Sequence, residues 1–259
     1  VMSMGVYTSE VARVLCAGAP RLRLIQFLNA GYEAAMARGF PVGATVCNCG
    51  TALAPTVAEH AFALLLSMAR RIPQLVHQQA DRHWGRTIGG ALGTIEGTTV
   101  VILGFGSIGK EIARRAVAFG ARVVAVSRNP KSHPDVEVRH LDQLPRILPE
   151  ADSLVVALPL SDGTRGIVSE GLLATCRPGM YFVNVGRGAL VDQDALIAAL
   201  REGRLGAAGL DVFETEPLAA ASPRPCVSAT PAAPCAWVPK PRRWTASGRW
   251  WFRMYIFRT

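Results

Sequence analysis

One stretch decides the fold: residues 99–120 read TVVILGFGSIGKEIARRAVAFG. The apolar, β-branched run Thr99–Leu103 predicts a buried strand, because such runs fit a sheet that is covered on both faces. Lys110–Phe119 has the apolar spacing of a helix, and Gly120 stands where a helix C-cap is expected. The stretch therefore predicts a strand, a glycine-rich turn and a helix in direct succession.

The turn holds three glycines at the spacing of a phosphate-binding loop. Gly104 permits the tight turn, Gly106 lets the backbone approach a pyrophosphate, and Gly109 allows close packing of helix on strand. The N–H groups of the first helical turn, which includes Ser107 and Ile108, add partial positive charge for phosphate oxygens. We predict that these five residues bind a nicotinamide dinucleotide. The alternative is a glycine-rich turn without a ligand.

The next predicted strand, Arg122–Val126, is followed by Ser127, Arg128 and Asn129. A site for NAD usually has a carboxylate here, about 20 residues beyond the loop, which accepts hydrogen bonds from the ribose hydroxyls. None is present in this chain, whereas Ser127 can donate to a 2′-phosphate and Arg128 can offer it a planar guanidinium. We expect NADP to be preferred, with NAD possible. In the alternative interpretation, Arg128 is a solvated turn residue that stacks on adenine.

Short apolar runs continue to alternate with helical segments, and three more strands are predicted at Ser153–Leu158, Met180–Val185 and Ala207–Phe213. This alternation is typical of βαβ units. Asp192–Glu202 is predicted as a helix with Asp192 as its N-cap, and Gly203 stands at the expected C-cap. The pattern predicts an α/β fold: a doubly wound parallel (Rossmann) sheet with a partial, smaller α/β substrate domain.

A strongly apolar helix is predicted upstream, over Val57–Arg70. Thr56 and Glu59 have the spacing of a capping box, which would begin the helix at Val57. A helix with so many apolar residues is expected to be buried. We interpret His60, which lies within it, as a packed or capping histidine rather than a metal ligand, because no second ligand follows on its face.

Three domains are predicted: residues 1–54 as the partial substrate domain, 55–222 as the NAD(P)-binding domain, and 223–259 as a poorly ordered tail. In the first, strands are expected at Leu22–Leu28 and Ala44–Cys47. The tail has a different composition, with four of the five tryptophans and six of the 17 prolines. No Asp or Glu follows Glu216, whereas seven of the 28 basic residues do, so the tail carries most of the net charge of +9.

Composition also bears on partners and location. No apolar run reaches the roughly 18 to 20 residues of a membrane span, and the N-terminus lacks the features of a secretory signal, so we expect a cytoplasmic protein without a membrane partner. The six scattered cysteines are interpreted as free thiols, and no metal site is predicted. The basic, aromatic segment Arg249–Arg258 leaves a nucleic-acid interpretation open. We disfavour it, because an out-of-frame GC-rich coding stretch would have the same composition.

Two loops at predicted strand ends are more specific. Asn184-Val185-Gly186-Arg187-Gly188 follows one strand, and Gly209-Leu210-Asp211-Val212-Phe213-Glu214-Thr215-Glu216-Pro217 lies at the end of another. These loops resemble the signature loops of the D-isomer-specific 2-hydroxyacid dehydrogenases. The resemblance covers about residues 11–222, including Val57–Ala61, Leu158–Leu160, Thr164–Gly166 and Arg177–Gly179.

The resemblance implies roles for individual residues. Arg187 would hold the substrate carboxylate and polarise the 2-oxo group, and Glu216 would pair with a catalytic histidine. Asp211 would contact the nicotinamide carboxamide. Backbone N–H groups of Asn29, Ala30 and Gly31 would bind the substrate carboxylate. The resemblance assigns further residues to the cofactor, namely Leu158, Pro159, Thr164, Val185 and Gly186.

The catalytic histidine is where this sequence departs from the family, which places it in a Pro-His segment beyond the position of Glu216. All five histidines of this chain precede Glu216. A shifted reading frame or gene fragment is favoured over a diverged functional tail, because the break coincides with the change in composition at Ser222. By the same resemblance, we expect the opening strand and helix of the family's substrate domain to be missing from the N-terminus.

By resemblance, the activity is hydride transfer between NAD(P)H and a small 2-oxo or 2-hydroxy acid, such as glyoxylate or hydroxypyruvate, in a homodimer that associates through the segment from Val57 to Trp84. We expect the missing histidine to impair turnover and to leave cofactor binding intact. The alternative is a catalytically silent NAD(P)-binding scaffold that resembles a corepressor.

Overall fold

The computed structural model describes residues 6–19, 21–28, 31, 33–216 and 255–258. The chain forms two compact units, residues 1–57 and residues 58–259. The sequence places the first boundary three residues earlier, between residues 54 and 55. Within the described ranges, no helix is both long enough and apolar enough to cross a membrane.

The first unit is a small α/β structure. Its elements are α1 (Ser9–Gly18), β1 (Leu24–Gln26), α2 (Glu33–Met36) and β2 (Thr45–Cys47). The two strands pair in parallel, with Ile25 opposite Val46. Three aromatic rings form the centre of its core: the ring of Tyr7 lies 5.3 Å from that of Phe27, edge to face, and 5.4 Å from that of Phe40. This arrangement agrees with the expected smaller α/β piece.

The second unit contains a seven-stranded sheet. Its strands are β3 (Thr99–Leu103), β4 (Arg122–Ser127), β5 (Glu137–His140), β6 (Ser153–Val156), β7 (Met180–Asn184), β8 (Leu205–Leu210) and β9 (Tyr255–Arg258). They lie in the order β5-β4-β3-β6-β7-β8-β9. The pairs from β5 to β8 are parallel, and β9 is antiparallel to β8. The order reverses between β3 and β6, which confirms the doubly wound sheet.

The remaining helices connect these strands. They are α3 (Ala54–Ala69), α4 (Ile72–Ala80), α5 (Ser107–Ala118), α6 (Leu144–Ile147), α7 (Glu170–Leu173) and α8 (Gln193–Arg201). The side chain of Asp192 accepts a hydrogen bond from the Ala195 N–H (3.0 Å), which confirms the predicted cap of α8. Gly120 and Gly203 follow the ends of α5 and α8 with φ of +75° and +71°, as helix C-caps require.

Both faces of the sheet are covered, which explains why its central strands are apolar throughout. On one face, Val101 and Leu103 pack in a core with Leu148 and Leu196. Neighbouring positions on these strands point to the opposite face. There, a Cβ added at Gly209 would lie 2.9 Å from the Leu64 Cβ, so α3 packs directly on the backbone of β8.

Helix α3 begins earlier than the sequence predicts. It spans Ala54–Ala69 rather than Val57–Arg70, and the Val57 N–H already donates to the Leu53 carbonyl (3.0 Å). The predicted capping box is therefore wrong, because Thr56 lies inside the helix. Pro55 stands at the second helical position, where its fixed φ favours initiation and its missing N–H costs nothing.

Two strands, β5 and β9, were not predicted from the sequence. The end strand β5 is absent from the sequence analysis, since Glu137–His140 has no apolar run and its side chains are half-buried or exposed. Strand β9 lies in the tail that the sequence predicts to be poorly ordered, so these four residues differ from that prediction. The rest of the tail, 217–254 and 259, lies outside the described residues.

The cysteines that the structure describes, Cys16, Cys47, Cys49 and Cys176, are all free thiols, as the sequence predicts. Cys176 is buried, and this desolvation raises the pKa of its thiol to about 11. A thiol with so high a pKa is a poor nucleophile near neutral pH. Cys176 therefore fills space in the core of the second unit rather than acting chemically.

Candidate functional site

The glycine-rich turn joins β3 to α5 at the point where the strand order reverses. Gly104 has φ of +107°, a conformation that L side chains rarely adopt. A Cβ at this position would also lie 2.7 Å from the Ala157 carbonyl oxygen and 3.1 Å from the Leu158 Cδ2. Gly104 therefore brings the ends of β3 and β6 together at the crevice where doubly wound sheets bind their ligands.

The other two glycines of the turn do different things. A Cβ on Gly109 would lie 2.0 Å from the Gly104 carbonyl oxygen, so glycine is needed here for helix and turn to pack. A Cβ on Gly106 would meet nothing within 4 Å. Gly106 is also the N-cap of α5, and no side chain caps that helix end. The turn thus leaves an open backbone cradle at a helix N-terminus, which fits a pyrophosphate.

The end of β4 lies next to this cradle and carries no carboxylate from Ser127 to Pro134. The Ser127 Oγ accepts a weak hydrogen bond from the Asn129 N–H (3.3 Å), and Arg128 is exposed. Within the cradle, the ring of Phe105 packs edge-on against that of His133, with centroids 5.5 Å apart. No sequence motif predicts this contact, because Phe105 and His133 are 28 positions apart in the sequence.

The loop after β6 is held by Thr164. Its buried hydroxyl donates to the Pro159 carbonyl (2.8 Å) and accepts from the Ser161 N–H (2.8 Å). Thr164, which the resemblance assigns to the cofactor, therefore fixes the shape of this loop. Leu158 lies between two glycines, since a Cβ at Gly186 would be 2.8 Å from the Leu158 carbonyl oxygen. The structure thus brings Gly104, Leu158 and Gly186 together.

Asn184 positions the arginine loop that follows β7. Its buried side chain donates from Nδ2 to the Arg187 carbonyl and accepts at Oδ1 from the Gly186 N–H, both at 3.0 Å. The Arg187 Nη1 donates to the Gly186 carbonyl (2.7 Å). A Cβ at Gly188 would lie 1.9 Å from the Phe213 carbonyl carbon, so this loop packs against the loop after β8. The positioning role of Asn184 was missed by the sequence analysis.

Asp211 and Glu216 lie in the loop after β8. The Asp211 N–H donates to the Asn184 carbonyl (3.0 Å), and its carboxylate Oδ1 lies 3.4 Å from the Nε2 of His60 on α3. Glu216 accepts at Oε1 from the Phe213 N–H (2.8 Å). Its carboxylate therefore caps a turn of its own loop. Of the other predicted residues, Asn29 and Ala30 lie outside the described residues, and Gly31 belongs to the first unit.

The comparisons with known proteins agree with this geometry. The profile of the family "D-isomer specific 2-hydroxyacid dehydrogenase, NAD binding domain" matches residues 62–231. The chain belongs to this family. The 2-hydroxyacid dehydrogenases most similar in sequence include a glyoxylate reductase of Aeropyrum pernix, 37% identical over 82% of this chain and 67% of the relative. A D-3-phosphoglycerate dehydrogenase of Mycobacterium tuberculosis is 40% identical over 81% of this chain and 40% of the relative.

Two solved structures of 2-hydroxyacid dehydrogenases contain a phosphorylated cofactor. The enzyme of Xanthobacter autotrophicus in complex with NADPH and MES superimposes with a TM-score of 0.69 at 35% identity, over 81% of this chain and 66% of that one. The second is the NADPH-dependent glyoxylate/hydroxypyruvate reductase of Sinorhizobium meliloti in complex with NADP and sulfate. It superimposes with a TM-score of 0.73 at 28% identity, over 82% of this chain and 68% of that one. This chain thus spans between 40% and about two thirds of the relatives described here.

Proposed function

We propose that this chain binds a nicotinamide dinucleotide in the cradle at residues 104–109 and carries the hydride-transfer site of a 2-hydroxyacid dehydrogenase acting on a small 2-oxo acid. The single observation that carries the proposal is the open backbone at Gly106 beside the crevice between β3 and β6. On the same edge of the sheet, the loops after β6, β7 and β8 bring Leu158, Arg187 and Asp211 to neighbouring strand ends.

The chemistry divides between the cofactor and the protein. When bound, a reduced nicotinamide would supply the hydride for C2 of the 2-oxo acid. The oxygen at C2 would take its proton from solvent, because no histidine follows Glu216. Arg187 binds the substrate carboxylate and stabilises the charge that develops on the 2-oxo oxygen. The hydrogen bonds of Asn184 hold the arginine loop in one conformation. Little conformational entropy of this loop is therefore lost when the substrate binds. Glyoxylate and hydroxypyruvate are the proposed substrates, since several relatives are named as reductases of these acids.

NADP is the proposed preferred cofactor, because Arg128 is exposed beside Ser127 and no carboxylate stands at the end of β4. We expect Arg128→Ala to weaken NADPH binding about tenfold, since a charge-assisted bond to phosphate contributes about 1.5 to 3 kcal/mol when it is desolvated and less at an exposed site. NADH binding should change less than twofold. Calorimetric titration of both reduced cofactors measures the ratio.

The neighbouring Lys131 provides a matched control, because it is also cationic and exposed but lies three residues further from the end of β4. Lys131→Ala should leave the NADPH-to-NADH ratio nearly unchanged. Tighter binding of NADH than of NADPH by the unmodified protein would contradict the proposed preference, even if Arg128→Ala lowers affinity for both.

Turnover is proposed to be slow, because no histidine follows Glu216 and a general acid is commonly worth about 10²- to 10⁴-fold in rate. The expected rate of NADPH oxidation with hydroxypyruvate is lower by that factor than the rate of the Sinorhizobium reductase under the same conditions. Arg187→Ala should remove the residual rate. A rate within tenfold of the relative's rate would refute the impairment.

A catalytically silent scaffold is the second candidate. One observation favours it: Glu216, the expected partner of a catalytic histidine, caps the Phe213 N–H instead. A scaffold would show no turnover at all, and Arg187→Ala would leave its partner binding unchanged.

Homodimer formation through α4 is also proposed, because Ile72, Leu75 and Val76 are about 40% exposed.

A further inference from the structure

Helix α3 packs closely on strand β8. Side chains that are one turn apart on the helix therefore lie over every second residue along the strand. Leu64 lies on Gly209, where even one added methyl group would be 2.9 Å from the Leu64 Cβ. His60 precedes Leu64 by one helical turn, and Asp211 lies two residues after Gly209, directly beyond the end of β8. This register places the His60 imidazole beside the Asp211 carboxylate at the carboxyl end of β8.

The contact is largely withdrawn from water. The His60 Nε2 lies 3.4 Å from the Asp211 Oδ1, and the two side chains are only 9% and 19% exposed. The contact is an ion pair when the imidazole is protonated. Its geometry is not that of a hydrogen bond, so the interaction between the two groups is electrostatic. The interaction between the two groups is stronger here than at the surface, because burial lowers the effective dielectric constant.

Helix α3 also contacts the last turn of α5 and its C-cap. Glu59, the neighbour of His60, forms an ion pair with Arg115 of α5 (3.0 Å), and the Phe62 ring lies 4.8 Å from that of Phe119. Arg115 also binds Glu111, and hydrogen bonds from Arg114 and Arg115 hold the pKa of Glu111 below its usual value. Helix α3 therefore contacts both α5, which begins at the cradle, and β8, which ends directly before Asp211.

We propose that His60 is a positioning residue that orients the Asp211 carboxylate toward the nicotinamide end of the cofactor. The inference rests on the proposed function, in which Asp211 contacts the nicotinamide carboxamide. His60 engages Oδ1, which leaves Oδ2 as the acceptor for a carboxamide N–H. The main-chain bond from the Asp211 N–H to Asn184 fixes the other side of the residue, so the carboxylate is held from two directions.

The test separates the two halves of the cofactor. His60→Leu should weaken NADPH binding about tenfold, because the Asp211 carboxylate loses its buried polar partner. Binding of 2′,5′-ADP, which lacks nicotinamide, should change less than twofold. His60→Gln should restore most of the affinity, because its Nε2 reaches about as far as the imidazole Nε2. Calorimetry of the full chain with both ligands measures these values.

Asp211→Asn is the matched partner variant. In that background, His60→Leu should have less than half its effect on NADPH binding, because the two changes remove one shared interaction. Should His60→Leu fail to fold, His60→Asn takes its place, since its amide is too short to reach Asp211. His77→Leu, a histidine on α4, serves as the control and should leave both affinities unchanged.

The possible outcomes have distinct meanings. Equal losses for NADPH and 2′,5′-ADP, or unchanged NADPH affinity in His60→Leu, would overturn the positioning role while leaving cofactor binding intact. Failure of the unmodified protein to bind either ligand would instead refute the proposed function, and this inference with it.

Discussion

Gly106→Ala is expected to weaken NADPH binding about 100-fold or more while leaving the fold intact. A methyl group there meets nothing within 4 Å in the protein, so folding is not opposed. The same methyl group would occupy the cradle that a pyrophosphate needs, and two lost charge-assisted bonds amount to about 3 kcal/mol. Calorimetric titration gives the affinity, and thermal unfolding of the free protein gives its stability.

This variant separates an effect on NADPH binding from an effect on protein stability, because a single methyl group is added. The expected change in Tm is less than about 2 °C, since the added side chain is solvated in the free protein. If Gly106→Ala binds NADPH as tightly as the unmodified protein, the cofactor does not lie over this turn, and the assignment of the cradle is wrong.

Gly109→Ala is expected to have the larger effect on stability. Its Cβ would lie 2.0 Å from the Gly104 carbonyl oxygen, a rigid backbone atom, so α5 must move away from the turn. We expect a loss of roughly 3 kcal/mol in the free energy of unfolding, which lowers the Tm of a domain of this size by about 6 to 12 °C. NADPH binding should be lost as well, because the helix N-terminus is displaced.

The two glycines are matched controls for each other, because they are three residues apart in one turn and receive the same methyl group. Alanine ordinarily stabilises a helix interior by about 1 kcal/mol relative to glycine, so a loss at Gly109 cannot come from helix propensity. Gly171→Ala in α7, where the nearest atom would be 3.9 Å away, should not destabilise the protein. Unchanged stability of Gly109→Ala would contradict the packing described for this turn.

Much of the sheet was predictable from sequence, for a physical reason. Strands covered on both faces need a continuous apolar run, and β3 is predicted at its observed limits, Thr99–Leu103. The turn glycines and the Asp192 cap are equally local, because each follows from the backbone geometry of a few residues. The end strand β5 gave no such signal, since a half-exposed strand does not require apolar side chains.

The parts of the site that were missed depend on contacts between distant residues. The His60–Asp211 pair joins positions that are 151 apart in sequence, and only the close packing of Leu64 on Gly209 brings them together. The resemblance pointed to Asp211 but gave no partner for it. Asn184 lies within the quoted signature loop, yet its role emerges only from its bonds to Gly186 and Arg187.

The central claim is that the cradle at residues 104–109 binds a nicotinamide dinucleotide. The most direct measurement is a titration of the full chain with NADPH, followed by its fluorescence and by calorimetry. We expect a single saturable site with a Kd below about 1 mM. Binding of 2′,5′-ADP should compete for this site, and Gly106→Ala should weaken NADPH binding about 100-fold or more. A folded protein that shows no saturable binding of NADPH or NADH in that range would contradict the account.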